Sequence, residues 1–333
     1  MNYNIFSSTA PAMPKPGKGT EFVKLALSQA SKDMREVLIP MAIPALAAHL
    51  TDVRFMYCDN KFYEMCGQMG HLIGPSGIGK AQLSHLVEAI MRPFRKHDEI
   101  EYKKLVDWQR QMKTKGANKE KPERPDVSFW FPPADITNPA FIQNAMALEK
   151  LGERTQYLNL PEVEMADKMC GGHRQVSQMV RNIYDCQRAG ALRATADGVT
   201  GNPVLRVNLT FTSTPDAARL FYKKDLTNGF FGRIPFAYKA RGERLGRIPR
   251  QGTYGQDFME QLDSYLLRLD NCKGAFTVKP LNKIADQLAE EMAKLADLAD
   301  DDMLWELSHR SIFSAWKKGA VLWILNDQQW ARS

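Results

Sequence analysis

An α/β architecture on a mostly parallel sheet, with helices ahead of it and a helical subdomain behind, is expected from three features of the chain. Short apolar, strand-like runs alternate with helix-like stretches between about residues 53 and 238. A glycine-rich loop joins a strand end, Leu72-Ile73, to an amphipathic helix. Beyond about residue 255 the strand-like runs thin out and helical spacing takes over. Of the 333 residues, 44% are hydrophobic and 25% charged, which suffices for a sizeable core and excludes a wholly disordered or collagen-like chain. The 45 Lys and Arg exceed the 38 Asp and Glu, a formal charge of +7. That excess suits a polyanionic partner and a solvated basic face equally.

In chain order, residues 1–20 carry Pro11, Pro14, Pro16, Gly17 and Gly19 and read as a flexible arm, with no basic stretch leading into the apolar core that a secretory signal needs. Residues 21–50 read as N-terminal helices broken around Pro40 and Pro44. Val53–Tyr57 and Phe62–Met65, joined by Asp59-Asn60, read as a hairpin that opens a core domain over 51–254. The 95–125 stretch is a charged insertion. It is helical to Met112, with Ile100, Leu105 and Trp108 as anchors, then a mobile loop that is either solvated or in contact with nucleic acid. Val127–Phe131, Tyr157–Leu160, Val204–Phe211 and Ile234–Tyr238 are strand-like, while Pro139–Leu151 and Ser177–Arg188 are helical. Ile284, Leu288, Met292, Leu295 and Leu298 recur at helical spacing, and Ser311–Leu325 follows as a second helix, so 255–333 reads as a helical C-terminal subdomain. No run of about 18 apolar residues is present, so no membrane partner is expected. Five cysteines at irregular spacing, with no C-x-x-C, argue against a disulfide framework or a zinc site and for a reducing cytoplasm.

The sharpest chemical signal is Gly74-Pro75-Ser76-Gly77-Ile78-Gly79-Lys80, followed by Ala81 and Gln82. It fits G-x-x-x-x-G-K, in which glycines let backbone N–H groups converge on phosphate oxygens and the lysine adds a point charge on the β/γ-phosphates. Leu83, Leu86, Val87, Ile90 and Met91 form a helical stripe directly after it, so a helix N-terminus adds its own free N–H groups. Residues 74–82 are therefore the candidate nucleotide site of a P-loop NTPase core. Ala81 stands where a Ser or Thr hydroxyl would ligate Mg²⁺, and Ser84 lies one turn beyond.

A hydrolase of this kind needs a second, neighbouring strand with an acidic end. Tyr157-Leu158-Asn159-Leu160-Pro161-Glu162-Val163-Glu164 is the candidate, with Pro161 at the usual Asp position and Glu162 as catalytic and metal-holding carboxylate; Glu164 and Asp167 are alternates. The other reading is a strand capped by solvated acids. Val204–Phe211 runs into Thr212-Ser213-Thr214-Pro215, where Ser213 is a candidate γ-phosphate sensor and a turn is the plainer explanation. Arg233, in Asn228-Gly229-Phe230-Phe231-Gly232-Arg233-Ile234-Pro235-Phe236, is either a finger reaching a neighbouring subunit's nucleotide or an arginine paired with a carboxylate. Arg174, Arg181 and Arg188 recur every seven residues and, with Arg193, are the candidate nucleic-acid contacts; a solvated basic face is the alternative. The six histidines fall at no metal-ligand spacing, and the late tryptophans suit core packing better than base stacking.

The hairpin, GPSGIGK, FPPADITNPAFIQNAM, YLNLPEVE, VNLTFTSTP and NGFFGRIPF, in that order over roughly residues 50–325, resemble the helicase-like P-loop domain of unknown function found in mobile elements and phages, often beside a primase domain. The resemblance implies a three-layer, RecA/AAA+-like ATPase core that uses ATP and Mg²⁺ and a homo-oligomeric ring of subunits on DNA. It also implies phosphate binding by Lys80, the acidic-strand role for Glu162, the sensor role for Thr212–Thr214 and the finger role for Arg233. Ala81 and Pro161 depart from the pattern. Three functions are thus expected in descending order: an ATP-binding, helicase-like ATPase acting on DNA in replication or mobilisation of a genetic element; a nucleotide-binding module with little hydrolysis; and a small-molecule or nucleoside kinase.

Overall fold

The computed structural model describes residues 21–114, 122–152, 154–190, 192, 198–223, 230–240 and 250–326. The expected arm at 1–20, part of the charged insertion, and Arg193 lie outside the described residues. Helix α1 (Glu21–Ser28) leads through a short 3₁₀ turn at Lys32–Met34 into α2 (Arg35–Ala48). Helix α2 is apolar on every side and correspondingly buried. It runs unbroken through Pro40 and Pro44, contrary to the expected break. Pro44 has no N–H for the carbonyl of Pro40, but Lys318 Nζ donates to that carbonyl at 2.9 Å. A side chain from the far end of the sequence thus satisfies the acceptor that the second proline leaves open.

The hairpin forms as expected from β1 (Val53–Met56) and β2 (Phe62–Glu64), with Asn60 in the left-handed region at φ 60°. There follow β3 (Met69–Ile73), α3 (Ala81–Ile90), α4 (Arg92–Thr114), α5 (Asn138–Lys150), β4 (Gln156–Leu160), α6 (Met165–Cys170), α7 (His173–Tyr184), β5 (Val207–Ser213), α8 (Pro215–Tyr222) and β6 (Phe236–Tyr238). Strands β4, β5, β3 and β6, in that spatial order, make a parallel four-stranded sheet. Helices cover both faces, as parallel strands require. Met69, Ile73, Leu158, Leu160, Leu209 and Phe211 pack with residues of α5–α8. Leu72 and Tyr157 join α2 and α3 on the other side. Helix α2 approaches closely enough that a Cβ on Gly70 would stand 2.9 Å from Met41 Sδ.

Residues 127–131 are not a strand, although the sequence reads that way. Tyr157 N–H donates to Trp130 O at 2.9 Å, but the other backbone groups of residues 128–131 are taken by side chains. Asp98 accepts from the N–H groups of Trp130 and Phe131, Glu101 from that of Ser128, and Asn144 pairs with both backbone groups of Phe129. This explains why α4 buries Phe94, Asp98 and Glu101 while Ile100, one of its expected anchors, is exposed.

The chain closes with α9 (Gln256–Asn271), β7 (Gly274–Phe276), α10 (Lys279–Ala299) and α11 (Asp302–Asn326). Strand β7, unanticipated in the sequence, pairs parallel with β1 to give a second sheet in the order β2-β1-β7. Trp316 and Trp323 of α11 pack edge-on against Phe55 of β1, so both are core residues; Trp305 is exposed. No helix among the described residues is long and apolar enough to cross a membrane. Against the expectation of no disulfide framework, one pair forms: Cys66, just ahead of β3, and Cys186, just after α7, make a disulfide, leaving Cys58, Cys170 and Cys272 free. The partners are 120 residues apart, and the approach depends on Gly67, where a Cβ would collide with the carbonyl oxygens of Ile183 and Tyr184.

Candidate functional site

The loop 74–80 leaves the carboxyl end of β3 and delivers the chain into α3, at the sheet edge where parallel α/β folds gather ligands. Gly77 and Gly79 take φ of 80° and 90°, the left-handed region that glycine enters without penalty. Gly74 is needed for space, since a Cβ there would collide with Ile78 and lie 3.0 Å from Lys239 O. Its N–H donates to Ser213 O at 3.1 Å, while Lys239 N–H donates to Ile73 O at 2.8 Å, so the loop root is pinned to the strands on both sides. Lys80 Nζ donates to the carbonyls of Gly74 and Pro75, the latter at 3.0 Å. Partial burial holds this ammonium below the ordinary lysine range. Ser76, Gly77 and Ala81 are exposed at the mouth of the loop.

Gln82 belongs to the loop's support. Its side-chain amide exchanges two hydrogen bonds with Ser31, at 3.0 Å from the Ser31 N–H and 2.9 Å to the Ser31 hydroxyl. Its own N–H donates to Gly79 O. Ser31 was missing from the sequence reading, because nothing local marks a serine 51 residues upstream as a partner.

The neighbour of β3 is β5, and the acidic strand β4 lies one place further out, which corrects the expectation that β3 and β4 would be adjacent. The carboxyl ends remain laced together. Thr212 Oγ1 donates to Pro161 O, and the β5 end carries the backbone contact to Gly74. Glu162 follows Pro161 as an exposed carboxylate ahead of α6. Ser213 does not present its hydroxyl to the loop. It is buried, 2.7 Å from His71 Nε2, and His71 Nδ1 lies 2.8 Å from the Tyr222 hydroxyl. Burial pushes the His71 imidazole down to about 3, so this relay is neutral at ordinary pH. Thr214 caps α8, accepting from Ala217 N–H at 3.3 Å. The three sensor candidates are thus spent on strand lacing, core and cap.

Arg233 sits at the opposite end of the sheet, ahead of the amino end of β6. Its guanidinium is mostly buried, 3.3 Å from Asp185 and 5.6 Å from the centre of the Tyr184 ring. The basic row also divides. Arg174 and Arg181 lie on α7, where Arg181 Nε donates to Ser177 O. Arg188 lies beyond the helix end and binds Glu149 and Asn202 O. The heptad spacing therefore does not describe one helical face, because α7 stops at Tyr184 and Cys186 turns the chain at φ 48°. A cleft of about 880 Å³ opens elsewhere, lined by Tyr102, Phe129, Ile136, Gln143, Asn144 and Arg188 among others and by no residue of the glycine loop.

For a nucleotide triphosphate the loop supplies left-handed glycines, a helix start and one ammonium. For Mg²⁺ the fit is thin. Ala81 offers no ligand, Glu162 offers one carboxylate, and no cluster of three or more His, Cys, Asp or Glu suited to a metal occurs among the described residues. Phosphate and water would have to complete the shell. No protein-family model matches the chain, and neither does any curated protein sequence.

Proposed function

We propose that the protein binds ATP, with its Mg²⁺, on residues 74–82 and works as a helicase-like ATPase on DNA, in replication or mobilisation of a genetic element. The observation that carries the reading is the glycine loop itself. It joins the carboxyl end of an inner parallel strand to a helix N-terminus, has two glycines in the left-handed region and has Lys80 at the helix start. DNA as substrate, the mobile-element setting and assembly into a ring rest on the order of motifs read from the sequence. In that assembly Arg233 would serve a neighbour's site, since it lies at the far sheet edge from its own loop.

Within this reading Lys80 leaves its two carbonyls for the β/γ-phosphates, and the loop N–H groups orient the chain of phosphates. At the acidic-strand end Glu162 is exposed and in position to face metal or water, with the exposed alternate Glu164 two residues on. A second reading, nucleotide binding with little hydrolysis, is favoured by a specific set of contacts. Ala81 lacks the hydroxyl, Ser213 is held by His71, and Arg233 is held by Asp185. The two readings divide on turnover. Lys80→Ala is expected to weaken ATP binding by roughly ten- to a hundredfold, the worth of a charged hydrogen-bonding group. Equal affinities of wild type and variant would refute both readings. Steady-state turnover titrated with single-stranded and duplex DNA then separates them: DNA-stimulated hydrolysis lost in Glu162→Gln supports the ATPase, and tight binding without turnover supports the module.

A further inference from the structure

Two stretches of the chain, the charged segment 95–125 and the arginines that follow Arg174, read in the sequence either as nucleic-acid contacts or as solvated faces. The fold brings part of each to one place, the cleft of about 880 Å³ that stands apart from the glycine loop. Tyr102 and Leu105 of α4 and Arg124 come from the first stretch, and Arg188 from the second. Helix α5 lends the cleft one face from its N-cap Thr137 to its last residue, Lys150, a run of about 20 Å. The volume lies in the range of clefts that hold ligands.

The polar groups at the cleft divide into those the fold has used and those it has not. Asp126 is bonded to Lys150 at 2.6 Å, Glu149 to Arg188 at 3.0 Å, and Asp135 to Lys168, so each of the three carboxylates already has its cation. Asn144 is spent on both backbone groups of Phe129 and on Gln156. The Gln143 side-chain amide, by contrast, has no hydrogen-bond partner among the described residues. Of the cations that line the cleft, Arg124 alone has no carboxylate among the described residues; it is exposed, with its guanidinium 5.8 Å from the centre of the Trp108 ring. Tyr102 and Phe129 add an aromatic surface, their ring centres 4.5 Å apart, and Tyr102 remains 38% exposed.

These unused groups specify the chemistry of an occupant. A flat ring system suits the aromatic surface. Its edge needs both donors and acceptors to meet a carboxamide, and a negative charge attached to it would meet Arg124. A nucleobase on its phosphodiester has all three features. A duplex has its ring faces stacked away inside, and one unmatched arginine is too little charge to hold it by its backbone. We propose that this cleft takes unpaired bases of single-stranded DNA, with Tyr102 as stacking platform and Arg124 as phosphate contact. The choice of DNA rests on the reading that the protein works on DNA, and the proposal deepens it by naming the residues that would hold the strand. It also moves that role away from Arg188, which is engaged with Glu149.

The test is the affinity of the intact chain for a labelled single-stranded oligodeoxynucleotide, by fluorescence anisotropy, with a duplex of the same sequence beside it. Wild type is expected to bind the single strand and to prefer it to the duplex. Tyr102→Ala is expected to weaken that binding roughly tenfold or more, the worth of one base stacked on an aromatic ring, while Tyr102→Phe, which keeps the ring, should bind as wild type does. Arg124→Gln is expected to weaken it about threefold and to flatten the slope of log affinity against log salt by about 0.7, the share of one phosphate on a single strand. Arg124 is exposed, so its change disturbs no core and keeps the proposal open to refutation even if Tyr102→Ala misfolds, which the melting temperature would reveal. Single-strand binding that is unchanged in Tyr102→Ala and Arg124→Gln overturns the cleft and leaves the DNA reading standing. Duplex bound as tightly as the single strand does the same, as does a loss in Tyr102→Phe equal to that in Tyr102→Ala. A wild type that binds neither form of DNA overturns both.

Discussion

The two ends of the parallel sheet are closed by opposite means. At the carboxyl end the strand tips are laced backbone to backbone and the charged group, Lys80, is held locally. Lys80 bonds the carbonyls of residues five and six positions back, Gly74 leans on the adjacent strand, and Thr214 caps the helix it introduces. At the amino end the closure is remote and internal. Cys186 bonds Cys66, Lys317 donates to Cys66 O at 2.8 Å, Lys318 to Met69 O at 3.1 Å and to Pro40 O, and Arg233 is clamped to Asp185. The contrast separates two uses of a polar group. An ammonium held by half-buried carbonyls of its own loop can exchange them for a ligand at little cost to the fold. A carbonyl buried with a distant ammonium cannot, because leaving either partner bare costs about 1–3 kcal/mol.

The largest effect expected to sharpen this contrast is at the disulfide. Unfolded in denaturant without reductant, the chain should titrate three thiols of its five, Cys58, Cys170 and Cys272. Reduction should lower the unfolding free energy by about 2–4 kcal/mol, the ordinary worth of a long-range cross-link. Five reactive thiols would break the comparison at its amino end. Next in size is the response to pH. Burial pushes the Lys317 amine down to about 8 and that of Lys318 to about 7, from 10.5 in the unfolded chain. Between those values the unfolded chain holds more protons than the fold, so the contribution of these lysines to stability rises with pH from about 7 towards 10.5. Measured as the difference in urea midpoint between wild type and Lys318→Met, which cancels the buried thiols and tyrosines, the wild type should gain on the variant as pH rises. A flat difference would remove Lys318 from the contrast. The smallest effect belongs to the carboxyl end. Thr214→Ala should cost about 1 kcal/mol through the lost cap and leave nucleotide affinity unchanged. A fall in affinity would return Thr214 to the site.

The same contrast decides what could be read in advance. The glycine loop, the helix after it, the hairpin and the parallel strands are written in runs of adjacent residues, and each was legible. What escaped depends on pairs far apart. Pro40 and Pro44 signal a broken helix unless Lys318 is known to arrive. Val127–Phe131 has strand composition, but Asp98, Glu101 and Asn144 claim its backbone first. Ser213 looks like a sensor until His71 is seen beneath it. The spacing of Arg174, Arg181 and Arg188 reads as one face only if the helix continues past Tyr184, and the turn at Cys186 ends it.

The pairing of β7 with β1 bears on how the molecule is made. Val53 lies opposite Gly274 and Phe55 opposite Phe276, so the hairpin emerges from the ribosome long before the strand that completes its sheet. Contacts of such separation raise the entropy that must be spent before any reward and slow folding. Until α11 is synthesised, the Pro40 carbonyl and the apolar flank of β1 stay without their lysine and tryptophans, which makes the nascent first half a natural client for chaperones. Ribosome-bound chains ending before residue 274 are therefore expected to remain protease-sensitive in the hairpin, and protection should arrive late, with the final helix.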